Sequence, residues 1–493
     1  MQYKKPVTIL ILLCIISGCS SVGSYHSFQL YNKPLVGDVA YQAIHYDGLE
    51  RNPVIVIPGI FGSRLSDATS GEEVWGSFTG KEALKRLKII KTSQMRLFSL
   101  PMAEERPLAE LCDTVISTGI LNTVNIKLFG ISFHVNAYQD MLGALKFGGY
   151  YDETFKKNRD KKYYTCFQFG YDWRRDLVEN SERLHAFIQE KKAYLQSKYE
   201  EMYGVKDYDV QFDIVAHSMG GLIARYYLRY GGQDLPQDGS LPKLTWEGSK
   251  HVDKVIMIGT PNMGYLDALI ELVNGLVFIR GMPKYESAVL GTFPTFYQML
   301  PLTSSQTVVD SHGEALDVFD YRLWIDMKWG LADPKQDAVL KILLPDVEDK
   351  EKRRSIALDH LRKCLVRAQC FAEALSVKAD IPDDVSLHLF LGDAVSTSHI
   401  AEVNRKSGKI KIIAYGPGDG KVLASSALMD LRTGSRWVPF VQSPIHWSSV
   451  TFLFAAHMGI TSDPIFATNV LYLLLSNPPK VQAVKKQFNL FFR

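Results

Sequence analysis

The sequence predicts an α/β fold, a mostly parallel central sheet flanked by helices. Three observations predict it. Short apolar runs at 53–57, 212–216 and 255–258 read as buried strands. Between the first two lies a segment of helical periodicity, 180–203, in which Leu184, Phe187, Ile188, Tyr194 and Leu195 recur on one face. Finally, the run from Phe212 to His217 turns sharply at Ser218 and continues with the helix formers Leu222, Ala224, Arg225 and Leu228.

A strand that feeds a helix through a tight small-residue turn at a serine is the nucleophile elbow of α/β-hydrolases. The turn lifts the hydroxyl off the sheet edge. The following helix points its free N–H groups at developing negative charge. The usual pattern is Gly-x-Ser-x-Gly; here Ala216 takes the first position and Gly220 the second. Ser218 is therefore the candidate nucleophile, and the N–H of Met219, the next residue, is a candidate oxyanion donor. Taken alone, Ser218 also reads as an ordinary turn serine. The strand–turn–helix context and the order Ser, Asp, His along the chain favour the nucleophile.

With 493 residues, 46% of them hydrophobic, the chain is long enough for one large core or two domains. A formal charge of +3 leaves no polybasic surface for nucleic acid and no acidic tail. At the N-terminus Lys4 and Lys5 precede the apolar run Val7 to Ile16, too short to span a bilayer comfortably. Ile16-Ser17-Gly18-Cys19 then resembles a bacterial lipobox, with Cys19 lipidated as the mature N-terminus; a plain secretory signal or short anchor is the alternative reading. By analogy with Gram-negative lipoproteins, Ser20 after the cysteine points to the outer membrane. No second long apolar stretch follows, so the expectation is a protein anchored to a bacterial envelope membrane rather than spanning it. After Cys14 and Cys19, four of the six cysteines remain, and Cys364 and Cys370 are close enough to close a small loop. No Cys/His spacing suggests a metal site, and no cofactor is expected.

Residues 1–18 read as signal peptide and 19–50 as a tether. The first part of the hydrolase core is expected over 51–264, interrupted by an insertion at 76–137. Its opening run, Pro53 to Ile57, ends in Pro58-Gly59, a turn that elsewhere supplies an oxyanion N–H. Pro53 to Ser63, with Glu73-Val74-Trp75, resembles the opening of the lecithin:cholesterol acyltransferase family, which includes lysosomal phospholipases and phospholipid:diacylglycerol acyltransferases. The resemblance recurs at Tyr138 to Tyr150, at Tyr171-Asp172-Trp173-Arg174, at Gly259 to Gly264 and at Pro294 to Pro301. It implies an α/β-hydrolase acting on lipid esters, with the N–H of Ile60 as the other oxyanion donor. It also implies that 76–137 carries membrane-binding and lid elements; a helical decoration is the plainer reading.

From 265 to 385 the pattern turns mainly helical, as in a cap over an active site. Tyr321, Trp324 and Trp329 are candidates to line an acyl pocket, or plain core. The core resumes over 386–480. By resemblance, the Gly-Asp-Gly turn at Gly418-Asp419-Gly420 makes Asp419 the triad acid, with Lys421 in place of the family's threonine. Asp393, directly after an apolar strand, is the rival acid. His457 follows a last strand, Ser448 to Ala455, and precedes a helix capped at Ser462-Asp463-Pro464. That context favours His457 as the base over His446. His217 is expected to pack at the elbow.

The reading is two-step acyl transfer from a lipid ester, phospholipid above all, to water or an alcohol. Two rivals stand beside it: a carboxylesterase for small soluble esters, and a lipoprotein that binds lipid or a partner on a hydrolase scaffold.

Overall fold

A computed structural model describes residues 44–46, 48–76, 92–128, 131–136, 138–154, 163–277, 284–432, 438 and 441–476. The signal segment, Cys19 and the tail Val484–Arg493 lie outside the described residues, as do most of the tether and part of the 76–137 insertion.

The chain opens with β1 (Val54–Ile57), then β2 (Ser63–Asp67), β3 (Glu73–Trp75), α1 (Thr92–Phe98), β4 (Val115–Ile120), β5 (Thr123–Leu128), β6 (Ile131–Asn136) and α2 (Gln139–Phe147). The described part of the insertion thus holds one short α-helix, one 3-10 turn (Leu108–Glu110) and three strands, which corrects the reading as a helical decoration. β4 pairs with β2, and β5 with β6.

Next come β7 (Cys166–Gln168), α3 (Leu177–Tyr203), β8 (Phe212–His217), α4 (Met219–Tyr230) and β9 (Val252–Ile258). The segment after β9 holds α5 (Leu266–Asn274), α6 (Ser287–Leu290), α7 (Pro294–Gln298), β10 (Val308–Asp310), α8 (Tyr321–Met327), α9 (Asp337–Leu343) and α10 (Lys350–Ser376). β11 (Ser386–Gly392), β12 (Val395–Val403), β13 (Ile410–Gly418), α11 (Ala424–Leu428), β14 (Ser449–Leu453) and α12 (Pro464–Ser476) complete the described fold.

Six strands form the central sheet in the order β14-β11-β9-β8-β1-β7, all parallel. Side chains alternate between its two faces. Ile55, Ile57, Ile214 and Ala216 join the core beneath α3 and α4; Val54, Val56, Val215 and Ile256 join a second core with Met141 and Leu145 of α2 and Phe466 and Val470 of α12. Both faces being covered explains why the strands read as unbroken apolar runs.

α3 starts where Asp176 accepts hydrogen bonds from the N–H groups of Val178 and Glu179, and stops at Gly204, which takes a left-handed φ of 67°. Leu184, Ile188 and Leu195 form its buried stripe.

The chain runs from β1 outward to β7, then crosses to β8 on the other side of β1. The strand order therefore reverses between β1 and β8, and in open α/β sheets ligands bind beyond the strand ends at such a switch point. Both the Pro58-Gly59 turn and Ser218 sit there.

Trp324 and Trp329 are buried in the main core, their indole N–H groups donating to the carbonyls of Val318 and Gly408, and Tyr321 packs against the same core. They are core rather than lining. Cys112, Cys166, Cys364 and Cys370 are all free thiols. Cys364 and Cys370 share α10, where six positions of separation turn their side chains about 120° apart around the axis, so no small loop closes between them.

Candidate active site

The elbow begins at the residue that breaks the backbone rules. Ser218 follows β8 with φ 53° and ψ −125°, and α4 starts at Met219. A non-glycine residue at positive φ is strained, and the strain persists only where the surroundings over-determine it. Here the Ser218 N–H donates to the Ile258 carbonyl at 2.7 Å, and the Ser218 carbonyl accepts from the Gly221 N–H at 3.0 Å. Small residues make the turn possible. A Cβ at Gly220 would lie 2.5 Å from the Pro58 carbonyl oxygen, and one at Gly59 would lie 2.8 Å from the Ser218 Cβ. Ala216, buried within β8, shows that the first position of the pattern has room for a methyl.

Three side chains from distant parts of the chain meet at this turn. His457 Nε2 lies 3.0 Å from Ser218 Oγ, and His457 Nδ1 lies 2.7 Å from Asp419 Oδ2. Asp419 reaches the site from the end of the β12–β13 hairpin, while His457 follows β14. The two loops are tied by the His457 N–H donating to the Asp419 carbonyl at 2.8 Å.

The other carboxylate oxygen of Asp419 accepts from the N–H groups of Lys421 (3.0 Å) and Val422 (2.7 Å). Burial pushes this carboxyl upward, but His457 and these two N–H groups outweigh it and hold Asp419 below the usual carboxylate range. It is an anion at neutral pH. Its Oδ2 therefore fixes the proton of His457 on Nδ1 and leaves Nε2 as the acceptor facing the serine hydroxyl.

The rivals stand apart. Asp393 is exposed in the turn between β11 and β12. His446 is exposed too, its Nε2 3.7 Å from Asp380. Lys421, the departure from the family pattern, sends its side chain to Asp267 (2.8 Å) and Glu271 (3.4 Å) on α5, so only its backbone serves Asp419.

Ile60 and Met219 stand on the two turns that meet at the serine, the one after β1 and the elbow. Ile60 lies in the loop after β1, and Met219 is the first residue of α4, whose N–H has no partner within its own helix. The loop is shaped by Phe61 at φ 61° and by the Gly62 N–H donating to the Gly59 carbonyl at 3.1 Å.

Sequence reasoning missed two glycines that close the site. A Cβ at Gly259 (φ 56°) would come within 3.1 Å of both Asp419 Oδ2 and His457, and one at Gly392 within 2.8 Å of the Asp419 Cβ. Gly259 directly follows an apolar strand and Gly392 ends one, which was the available signal. Among the described residues no group of three or more His, Cys, Asp or Glu is arranged to hold a metal ion, and no helix is long and apolar enough to cross a membrane.

Residues 138–335 match the family model for lecithin:cholesterol acyltransferase. Over that stretch the chain is similar to the lecithin:cholesterol acyltransferase family, in keeping with its α/β-hydrolase fold. The match supports an enzyme that hydrolyses or transfers the acyl group of a lipid ester. No curated protein sequence matches the chain.

Among solved structures, a chain described as "The crystal structure of Tle4-Tli4 complex" aligns with a TM-score of 0.56 at 15% identity, over 86% of this chain and 98% of that one. At that identity the likeness speaks for the fold. Lipase 1 from Pelosinus fermentans aligns at a TM-score of 0.31 and 12% identity, over 86% of this chain and 98% of its own. Staphylococcus hyicus lipase aligns at 0.32 and 13%, over 86% and 94%. Neither of these two likenesses bears on the argument.

Proposed function

We propose that this lecithin:cholesterol acyltransferase-like hydrolase is a serine acyl hydrolase or acyltransferase acting on lipid esters, with phospholipid as the favoured substrate. The observation that carries the reading is the continuous contact from Ser218 Oγ through His457 to Asp419 at the strand-order switch point. His457 Nε2 takes the Ser218 proton as Oγ attacks the ester carbonyl carbon. The carbonyl π electrons move onto oxygen, where the N–H groups of Ile60 and Met219 receive the charge. Collapse re-forms the carbonyl and expels the alcohol oxygen, which takes the proton from His457. Ser218 is left esterified. Water or a second alcohol then attacks the acyl-enzyme with His457 again as base.

Asp419 stays ionised throughout and stabilises the imidazolium. Removing one oxyanion donor in other enzymes costs on the order of 10²–10³ in rate. A lipid anchor at Cys19 is part of the proposal; it would hold the enzyme on a bacterial envelope membrane, at its substrate.

The test uses purified full-length protein with phosphatidylcholine vesicles, with and without a long-chain alcohol, comparing wild type and Ser218→Ala. Serine-dependent free fatty acid supports hydrolysis, and serine-dependent ester on the alcohol supports transfer. Serine-dependent activity confined to short soluble esters would move the assignment to a carboxylesterase. No serine-dependent product on any ester would remove the enzymatic reading.

A further inference from the structure

The turn after β1 contains one peptide unit held at both ends. The Pro58 carbonyl accepts from Tyr171 Oη at 2.7 Å, and the N–H of Gly59, in the same peptide plane, donates to Tyr138 Oη at 2.7 Å. Both tyrosines are almost fully buried, and burial raises the pKa of each phenol, so both remain neutral hydroxyls.

Tyr138 continues the chain. Its Oη lies 3.0 Å from His217 Nδ1, and His217 Nε2 lies 3.3 Å from the backbone carbonyl of His457. His217 is buried, and burial with the neighbouring His457 pushes its pKa down to about 3. It is therefore a neutral imidazole near neutral pH. A neutral ring facing a carbonyl through Nε2 carries its proton there and accepts at Nδ1. The directions then close without conflict. Gly59 N–H donates to Tyr138 Oη, Tyr138 O–H to His217 Nδ1, and His217 Nε2–H to the His457 carbonyl.

Rotating the Pro58–Gly59 peptide would break both tyrosine hydrogen bonds inside the core. The next N–H along the chain belongs to Ile60. A fixed Pro58–Gly59 plane constrains where Ile60 points, and stabilisation of an oxyanion depends on donors already aimed before charge develops.

We infer that Tyr138 and Tyr171 are positioning residues: together they clamp the Pro58–Gly59 peptide so that the oxyanion loop is pre-set, and His217 couples that clamp to the loop that carries His457. This rests on the acyl-transfer reading of Ser218, and it adds roles for three side chains that touch neither substrate nor reacting atoms. Sequence gave Tyr138 and Tyr171 as family-like motif members without a task, and His217 as packing.

The experiment measures steady-state hydrolysis of a p-nitrophenyl ester by full-length wild type, Tyr138→Phe and Tyr171→Phe, with Ser218→Ala as control. Each phenylalanine keeps the ring and removes only the clamping hydroxyl. Inhibition by an alkylboronic acid, which adopts a tetrahedral anionic form on the serine, is measured on the same proteins. The clamp predicts kcat lower by about 10–100-fold with KM within about threefold, and boronate affinity falling in step with kcat.

A purely structural role would lower the melting temperature without separating kcat from KM or weakening the boronate. A folded variant with kcat within twofold of wild type, a loss confined to KM, or unchanged boronate affinity overturns the clamp. Tyr171→Phe carries the test if Tyr138→Phe does not fold. If Ser218→Ala retains wild-type activity, the acyl-transfer reading itself has failed, a result distinct from any of these.

Discussion

A methyl group added at Gly59 would sit 2.8 Å from the Ser218 Cβ and 3.3 Å from His217 Nδ1, and one at Gly220 would sit 2.5 Å from the Pro58 carbonyl oxygen. Both contacts join the same two turns, the one after β1 and the elbow. Neither turn can relax without moving the other. Gly59→Ala and Gly220→Ala should each lower stability by about 1–3 kcal/mol through overpacking and reduce kcat by more than about tenfold, read from urea unfolding and ester hydrolysis on the same samples. Asp419→Asn should leave the fold intact and reduce kcat by at least about 100-fold, because the amide cannot enforce the tautomer that leaves His457 Nε2 free to accept. The sequence pointed to Ser218 through its local pattern, but His457 and His446 are both histidines near the last strand. What separates them is non-local: the His457 N–H bound to the Asp419 carbonyl, against an exposed His446 beside Asp380.

Elements bring these residues into register, and two ties between elements deserve predictions of their own. Arg174 is fully buried, paired with Asp172 at 2.7 Å and Asp113 at 2.8 Å, and its guanidinium also donates to the carbonyls of Leu97 and Phe98. It joins the turn after β7 to the end of α1 and the approach to β4. Removing one partner of a buried ion pair strands the others, so Arg174→Met should cost about 3–5 kcal/mol of stability, measured by urea unfolding, while the residual folded enzyme keeps its KM. Lys421 is the contrast. It is half exposed, and its side chain bridges to α5 while its N–H serves Asp419. Lys421→Thr should cost under about 1 kcal/mol and leave kcat within about twofold.

The turn acid shows where element-level reading ends. Asp393 follows an apolar strand directly, as an acid in this fold should. Yet β11 ends at Gly392, whose missing side chain makes room for Asp419 delivered by the next hairpin. A hairpin whose second strand brings Asp419 back beside the start of its first, next to an earlier strand end, leaves no local mark in the sequence. The strands of the central sheet were legible for the opposite reason: burial on both faces removes polar alternation and leaves an apolar run. The β2–β3–β4 sheet, with polar residues throughout, was not legible.

Over the whole molecule, buried histidines set the acid limit. Burial lowers His217 to about 3, and His360 and His388 to about 4. The unfolded chain binds these protons near pH 6.5, the folded chain only near 3–4. Their contribution is therefore complete above pH 6.5 and is lost as pH falls toward 4, at about 1.4 kcal/mol per pH unit for each proton. Asp213 and Glu271, lifted by burial to about 6 and about 7, act in the opposite sense over part of that range. Burial also lowers His251 and raises Asp113, so four histidines stand against three carboxyls, and urea midpoints should fall between pH 6.5 and 4. His360→Gln, which keeps a donor for the Thr292 carbonyl, should show a shallower decline.

The central claim is that Ser218 is an activated nucleophile. Its most direct test is labelling of the native full-length protein with a fluorophosphonate, followed by peptide mapping. The account predicts one covalent adduct, on Ser218, absent in Ser218→Ala and formed at least about 100-fold more slowly in His457→Ala. No adduct on the native protein, or an adduct on another residue that persists in Ser218→Ala, would contradict it.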